Sequence, residues 1–326
     1  MIEVRPGICW WCQTNPADSR EHKLKRSDLV REYGPPPYAD ERLLTRFSAD
    51  GRHQISGPNS SLFKFGPSMC SDCNNTRSQA FDNAWSTFTA YLAEYESEII
   101  QNRTLDLGFA FGSEWRLVGA NVARYLVKHA ICRMIDTLPG PLRFEADLID
   151  FLDGGPFPES MQLEARLDLG VVEMLKVTRR APAVDPRAAE AGFLNLGGVG
   201  VGRARDGTWH TPQSTVYYRW LVLGWRIGDG GPVNPFAQRR VELAESDELF
   251  GPAVREFLVA TAEVPGEILE RLPPGPELPA ALRDAGYPEA AARLQALLHR
   301  QGSDRSQATS TGSSPGKHVS VRYSWR

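Results

Sequence analysis

The amino-acid sequence predicts an α+β fold that begins with a metal-braced module. Two Cys-x-x-Cys pairs lie within the first 75 residues, and apolar residues recur every three or four positions after residue 80. A hairpin signal, Asp206-Gly207, separates two runs rich in Val, Tyr, Trp and Leu. We divide the 326 residues into a module over 1–82, a helical and antiparallel-sheet region over 83–300, and a Ser/Thr/Gly-rich tail over 301–326 that we expect to be disordered.

Composition and charge narrow the class of protein. Hydrophobic residues make up 41% and charged residues 24%, as in ordinary soluble globular proteins. No apolar run reaches the roughly 20 residues of a membrane span, and the amino terminus does not read as a signal peptide, so we expect a cytoplasmic protein. The net charge of −3 excludes a uniformly basic nucleic-acid coat. Residues 1–80 nevertheless carry 11 Lys and Arg against 9 Asp and Glu, so contact with a polyanion is expected there.

Periodicity predicts the elements that follow the module. We expect a second helix over 113–136, with Cys132 as a buried thiol inside it. Residues 193–228 predict a small antiparallel sheet, and 241–260 and 278–300 predict helices. The first helix carries one apolar stripe, formed by Phe81, Ala84, Trp85, Phe88, Tyr91, Leu92, Tyr95 and Ile99.

The two cysteine pairs, Cys9-x-x-Cys12 and Cys70-x-x-Cys73, predict one structural zinc site. Each pair places two thiolates on one side of a tight turn, and two such turns complete a tetrahedral Zn²⁺ site. The 57 intervening residues are too many for a compact zinc ribbon and favour an inserted hairpin. Two separate redox dithiols are the alternative, although no βαβ pattern surrounds either pair.

Three further residues accompany the cysteines in a recognisable order. Glu21-His22 follows the first pair, and Asn74 directly follows the second. With these elements the chain resembles the HNH endonuclease family, in the branch that carries Cys-x-x-Cys, then Asp/Glu-His-x-x-Pro-x-Ser, then Cys-x-x-Cys-Asn-x-x-Lys. The resemblance covers about residues 8–82.

This resemblance implies a ββα-metal, treble-clef-like module and metal-dependent hydrolysis of DNA phosphodiester bonds. It implies that His22 is the general base, that Glu21 and Asn74 hold one Mg²⁺ or Mn²⁺ ion, and that the zinc is structural. The chemistry is self-consistent, because a neutral imidazole can accept a proton from water at cellular pH. Carboxylate and carboxamide oxygens are also suitable ligands for a hard cation.

The chain departs from the family pattern at several positions. Lys25 replaces the usual Pro, Arg77 the usual Lys, and Glu21 the commoner Asp. The middle Asn of the pattern has no counterpart, since its expected place is near Phe65. Four basic residues are candidate phosphate contacts on DNA, or alternatively on RNA: Lys23, Lys25, Arg26 and Arg77.

Other interpretations of the same residues stay open. Asn74 could act as a helix N-cap, for which Asn is favoured, rather than as a metal ligand. If Glu21 and His22 are only structural, the module is a noncatalytic zinc-binding unit for nucleic acid or a protein partner. A dithiol redox protein is a third hypothesis.

Overall fold

The computed structural model describes residues 1–38, 45–48, 51–180, 192–196, 199–203, 209–228, 230–246, 259–261, 263–264, 268, 271–273 and 277–297, and it confirms the α+β class. The helices are α1 Arg26–Tyr33, α2 Gln79–Glu94, α3 Glu96–Asn102, α4 Leu107–Phe111, α5 Trp115–Thr137, α6 Ala146–Leu152, α7 Leu169–Arg180, α8 Leu278–Asp284 and α9 at 288–297. The strands are β1 Ile2–Glu3, β2 Thr45–Ser48, β3 Gly51–Gln54, β4 Thr104–Asp106, β5 Arg143–Phe144, β6 Met161–Asp168, β7 Leu194–Leu196, β8 Gly200–Arg203, β9 Trp209–Tyr218, β10 Leu221–Ile227, β11 Arg240–Glu242 and β12 Ala244–Ser246.

The main sheet has the order β12-β6-β10-β9-β7, and β8 also pairs with β9. Strand β10 pairs antiparallel with both neighbours, so that Leu223 lies opposite Ala165 and Val216. Only β12 pairs parallel, with β6, among these strands as described. The antiparallel sheet predicted for 193–228 is therefore present, and β6 extends it.

The amino-terminal segment is built from short pairings. Strands β2 and β3 form a hairpin between the two cysteine pairs. Isolated bridges join Ser19 to Met69 and His22 to Lys64. A short π-helix, Asp72–Arg77, follows and leads into α2.

One continuous hydrophobic core extends from this segment into the rest of the chain. It includes Trp10 and Phe65 near the amino end, the inner faces of α2 and α5, and residues of β6, β9 and β10. The predicted boundary at residue 82 falls inside α2, whose buried face packs against α5. A smaller core joins α8 to α9.

The helical predictions can be compared with the structure. The apolar stripe is present, but the chain leaves helical geometry at Tyr95, so that α2 and α3 divide it. Helix α5 matches the second predicted helix, and its Cys132 is fully buried as predicted. None of the helices among the described residues is long and apolar enough to cross a bilayer.

The helix predicted over 241–260 is wrong at its start. Residues 240–246 form strands β11 and β12 instead. Pairing with β4 and β6, which lie far upstream in the sequence, overrides the local helical preference of this segment. The prediction for 278–300 holds for α8 and α9, whereas the Asp206-Gly207 turn and the tail over 301–326 lie outside the described residues.

Helix α5 makes a contact that predicts a pH effect on stability. His129 is buried, its Nε2 donates to the carbonyl of Lys23 at 2.8 Å, and its ring packs edge-on against Phe65. Burial, with a smaller contribution from Arg133, lowers the pKa of His129 to about 3. Because the unfolded chain takes up this proton near pH 6.5 and the folded chain does not, acidification favours unfolding.

We expect the wild type to lose about 2 kcal/mol of stability through this group between pH 7 and pH 5. A His129→Gln variant should be less stable at pH 7 but should lose about 2 kcal/mol less over that interval. Urea unfolding of both proteins with zinc present measures the difference. Equal losses in the two proteins would contradict the assignment.

Candidate functional site

The four predicted zinc ligands lie together. Their Sγ atoms are all within 4.8 Å of one another in the group Cys9, Cys12, Cys70 and Cys73, and no disulfide joins them. The Sγ atoms of Cys12 and Cys70 are 3.8 Å apart. A tetrahedron with Zn–S bonds of about 2.3 Å has edges of about 3.8 Å, so the cluster has the size of a zinc site. Two independent redox dithiols would have no reason to meet in this way.

Backbone hydrogen bonds shape the first cysteine turn. The N–H of Cys9 donates to the carbonyl of Asn15 at 2.8 Å, and the N–H of Gln13 donates to the carbonyl of Cys9 at 3.0 Å. Gln13 has a left-handed φ of 59°, which closes the turn. An antiparallel bridge between Ile8 and Pro16 brackets it.

The second turn is held by N–H donors directed at sulfur. The N–H of Cys73 lies 3.5 Å from Sγ of Cys70, and Arg77 donates to Sγ of Cys73 at 3.4 Å. The guanidinium of Arg77 also stacks on Trp11 and pairs with Asp153. Arg77, a predicted phosphate contact, is thus engaged beside the metal cluster, where such donors stabilise thiolate charge.

The pKa values of these thiols indicate that the cluster needs a bound cation. Burial raises the pKa of Cys9 and of Cys73. Burial also opposes ionisation of Cys12, but hydrogen bonds with Thr14 and the backbone of Asn15 outweigh it and lower that pKa to about 6. Four adjacent thiolates need a bound cation to offset their charge, and thiolate is a ligand that Zn²⁺ prefers.

The predicted base lies in a short stretch, 19–23, that follows the first turn and pairs through the isolated bridges of Ser19 and His22; we call this stretch the bridge strand. The N–H of Lys23 donates to the carbonyl of Phe63 at 2.6 Å, and the N–H of Phe65 donates to the carbonyl of Glu21 at 2.9 Å. These bonds pair the two segments on either side of the inserted hairpin. His22 lies between the two paired residues and directly follows Glu21 in the sequence.

A row of polar side chains spaced four residues apart faces this strand. Asn74 donates from Nδ2 to Oγ of Ser19 at 2.9 Å. The hydroxyl of Ser78 contacts the carbonyl of Asn74 at 2.6 Å and Oδ2 of Asp82 at 3.1 Å. Residues four apart share one helix face. Because Asn74 lies inside the π-helix Asp72–Arg77, it is not an N-cap residue.

A buried ammonium joins the strand to this row. The side chain of Lys128, on α5, is 0% exposed, and its Nζ lies 3.2 Å from Oε2 of Glu21. The same Nζ lies 3.3 Å from Oδ1 of Asp82 and 3.2 Å from Oγ of Ser78. Burial lowers the pKa of Lys128, but the two carboxylates outweigh this and raise it, so the ammonium stays charged.

The imidazole of His22 has a free nitrogen. Its Nε2 is buried and has no hydrogen-bond partner among the described residues, and the same holds for Oδ1 of Asn74. Burial lowers the pKa of His22, and the charges of Lys64 and Arg26 lower it further, while Asp82 opposes them. His22 is therefore neutral at pH 7, the form that accepts a proton.

The remaining candidate phosphate contacts differ in their surroundings. Lys23 forms an ion pair with Asp136 at 2.9 Å. The ammonium of Lys25 contacts the main-chain carbonyl of Asp82. Arg26 is exposed and makes no ion pair with any other residue the structure describes. Of the four, Arg26 is best placed to meet a ligand from solvent.

Sequence reasoning missed several residues of this site. Phe65 fills the place of the missing Asn and packs against His129. Lys128 lies outside the module, and its place on a helix gave no sign of its partners. Ser78 and Asp82 were detectable, because with Asn74 they form a polar row at four-residue spacing.

The structure offers fewer ligand atoms for a second metal ion than for zinc. Among the described residues, the cysteines are the only group of three or more His, Cys, Asp or Glu that could hold an ion. The unpartnered Oδ1 of Asn74 is a free oxygen ligand, and the carboxylate of Glu21 has acceptor sites beyond the one that faces Lys128. Mg²⁺ commonly uses one or two protein oxygens and keeps several waters.

Comparison with known proteins adds no identification. Searches against protein-family models, curated proteins and solved structures each return no match.

The cysteine cluster predicts that the protein binds one zinc ion. Cys70→Ser should abolish stoichiometric zinc and lower the free energy of unfolding by at least about 3 kcal/mol, since structural zinc in small peptides contributes about 10 to 16 kcal/mol. Elemental analysis and thermal unfolding measure both effects. Cys132→Ser is the matched control, because Cys132 is buried outside the cluster, and it should retain zinc. Zinc-free wild type with intact stability would refute the site.

Proposed function

We propose that this chain is a metal-dependent endonuclease that hydrolyses DNA phosphodiester bonds on a treble-clef-like, HNH-type ββα-metal module. The observation that carries the proposal is the unpartnered Nε2 of His22. This nitrogen belongs to the residue that follows Glu21 in the sequence, and the backbone of His22 is bridged to Lys64 between the two cysteine pairs. Buried polar atoms without partners are rare and concentrate where a water, an ion or a substrate binds.

The chain's own residues would perform the proton chemistry. Neutral His22 would take the proton of the attacking water. The neighbouring charges of Lys64 and Arg26 disfavour the imidazolium and so keep this base available. The same two cations would attract the phosphates on either side of the scissile bond.

Glu21 and Asn74 would hold the catalytic Mg²⁺ or Mn²⁺. Such an ion, when bound, neutralises charge on the phosphate oxygens and on the departing 3′-oxygen. Asn74 would offer its unpartnered Oδ1, and Lys128 would restrain the carboxylate of Glu21. The zinc is structural in this proposal. Because metal-bound cysteines persist in a reducing compartment, we also propose a cytoplasmic location.

A noncatalytic zinc-binding module is the second candidate function. The contact between Lys128 and Glu21 favours it, because a buried ammonium already neutralises the carboxylate that would hold the catalytic ion. In that case the surface around Arg26 and Lys64 would bind nucleic acid without cleaving it, or the module would bind a protein partner.

The nuclease proposal predicts nicking of supercoiled plasmid DNA with Mg²⁺ or Mn²⁺ and none with chelator. His22→Ala should lower the rate by at least about 100-fold, the usual contribution of a general base. Its zinc content and circular dichroism should be unchanged. His53→Ala, on strand β3, serves as the histidine control and should cleave normally.

Cleavage that persists in His22→Ala would show that another residue is the general base. Wild type that binds DNA but cleaves neither DNA nor RNA would establish the noncatalytic module. Cleavage of RNA alone would support the proposed hydrolysis mechanism and would identify RNA as the substrate.

The basic side chains of Arg26 and Lys64 predict how DNA binding depends on salt concentration. Arg26→Ala and Lys64→Ala should each weaken binding regardless of sequence and reduce the slope of log K against log salt by about 0.9. Fluorescence anisotropy at several salt concentrations measures the slope. Arg116→Ala, whose guanidinium packs over Trp115, is the control. Unchanged slopes would exclude phosphate contacts at these positions.

A further inference from the structure

We propose that Lys128 is a positioning residue, which fixes Glu21 and the start of helix α2 in the arrangement that forms the divalent-cation site. This inference rests on the proposed function and names a residue 46 positions beyond the predicted end of the module. Lys128 would act through its neighbours, because its buried side chain cannot reach the substrate.

Three side chains meet the ammonium of Lys128, and we call this arrangement the tripod. Nζ donates hydrogen bonds to Oγ of Ser78 at 3.2 Å and to Oδ1 of Asp82 at 3.3 Å, and it forms an ion pair with Oε2 of Glu21 at 3.2 Å. One acceptor lies on the strand that bears the base. The other two lie on the helix whose first turn follows Asn74. A single group therefore fixes the separation between strand and helix.

The tripod is also connected to the amide that would bind the ion. The hydroxyl of Ser78 contacts the carbonyl of Asn74 at 2.6 Å, and the Asn74 side chain donates to Ser19 at 2.9 Å. Ser19 lies two residues before Glu21, so both are on the same side of the extended chain. The contacts close a ring that runs from Lys128 through Ser78, Asn74, Ser19 and Glu21 back to Lys128.

Charge neutralisation alone does not account for this arrangement. The ammonium of Lys25 already contacts the main-chain carbonyl of Asp82, and its charge acts on Glu21. Lys128 additionally fixes the relative orientation of two elements, because its single Nζ atom contacts side chains on both of them. An arginine retains the charge, but its planar fork cannot reproduce a tripod in the same space.

The test compares Lys128→Met and Lys128→Arg with wild type in the full zinc-loaded chain. Both variants should lower kcat for plasmid nicking by about 10- to 100-fold, as loss of an outer-shell partner does, while KM for DNA stays unchanged. Calorimetric titration with Mn²⁺ should show weaker binding in both variants by a similar factor. Lys176→Met is the matched control, since Lys176 pairs with Glu173 on the surface.

Several outcomes would overturn the inference. Folded Lys128→Met with wild-type kcat and Mn²⁺ affinity would do so, and so would full recovery in Lys128→Arg, which would leave only a charge effect. If Lys128→Met does not fold, Ser78→Ala removes one tripod acceptor without stranding a charge, and it should lower kcat and Mn²⁺ affinity to a smaller extent. Unchanged values in that variant would also count against the tripod.

Failure of the proposed function is distinguishable from failure of this inference. If wild type does not cleave nucleic acid, the endonuclease proposal fails, and the Mn²⁺ titration alone decides the role of Lys128. Mn²⁺ binding in wild type that is lost in both Lys128 variants would support positioning. Absence of Mn²⁺ binding in zinc-loaded wild type would overturn it.

Discussion

The separation of four sulfur atoms constrains the whole amino-terminal segment. The cysteine cluster holds together two stretches of chain with 57 residues between them. Once they meet, the N–H of Trp10 donates to the carbonyl of Ser68 at 3.1 Å, and the N–H of Ser19 donates to the carbonyl of Met69 at 2.9 Å. The pairing that places His22 between two hydrogen-bonded neighbours continues from these contacts. The cysteine cluster thus constrains the geometry of the segment that carries His22.

The segment also depends on α5, which lies outside it in the sequence. Lys128 and His129 reach the bridge strand from this helix, through the carboxylate of Glu21 and the carbonyl of Lys23. The stacking of Trp85 on Tyr125, with ring centroids 4.5 Å apart, fastens α2 to the same helix. Helix α5, which lies in the region for which the sequence indicated no role, therefore contacts the candidate site directly.

The features that the sequence predicted are those encoded by local patterns. Cysteine spacing identified the metal ligands, and helical periodicity identified α2 and α5. The packing of α2 against α5 was not detectable in the sequence, because an apolar stripe does not reveal which element covers it. Strands β11 and β12 were missed because pairing with distant strands determines them. Lys128 was missed for a similar reason, since a lysine on a helix gives no indication of its partners until the tertiary structure is formed.

The charges at the junction of strand and helix require a reason other than stability. The carboxylates of Glu21 and Asp82 both pair with the buried ammonium of Lys128, and the ammonium of Lys25 contacts the main-chain carbonyl of Asp82. Desolvation of buried ions commonly cancels their attraction, and apolar side chains of equal volume would support the fold as well. Apolar contacts do not fix the orientation of a side chain, whereas a fully hydrogen-bonded polar network does. A chain already stabilised by a cysteine cluster and a large core can carry such a network with little loss of stability. We attribute this network to the orientation of Glu21 relative to helix α2, the arrangement on which the proposed cation site depends.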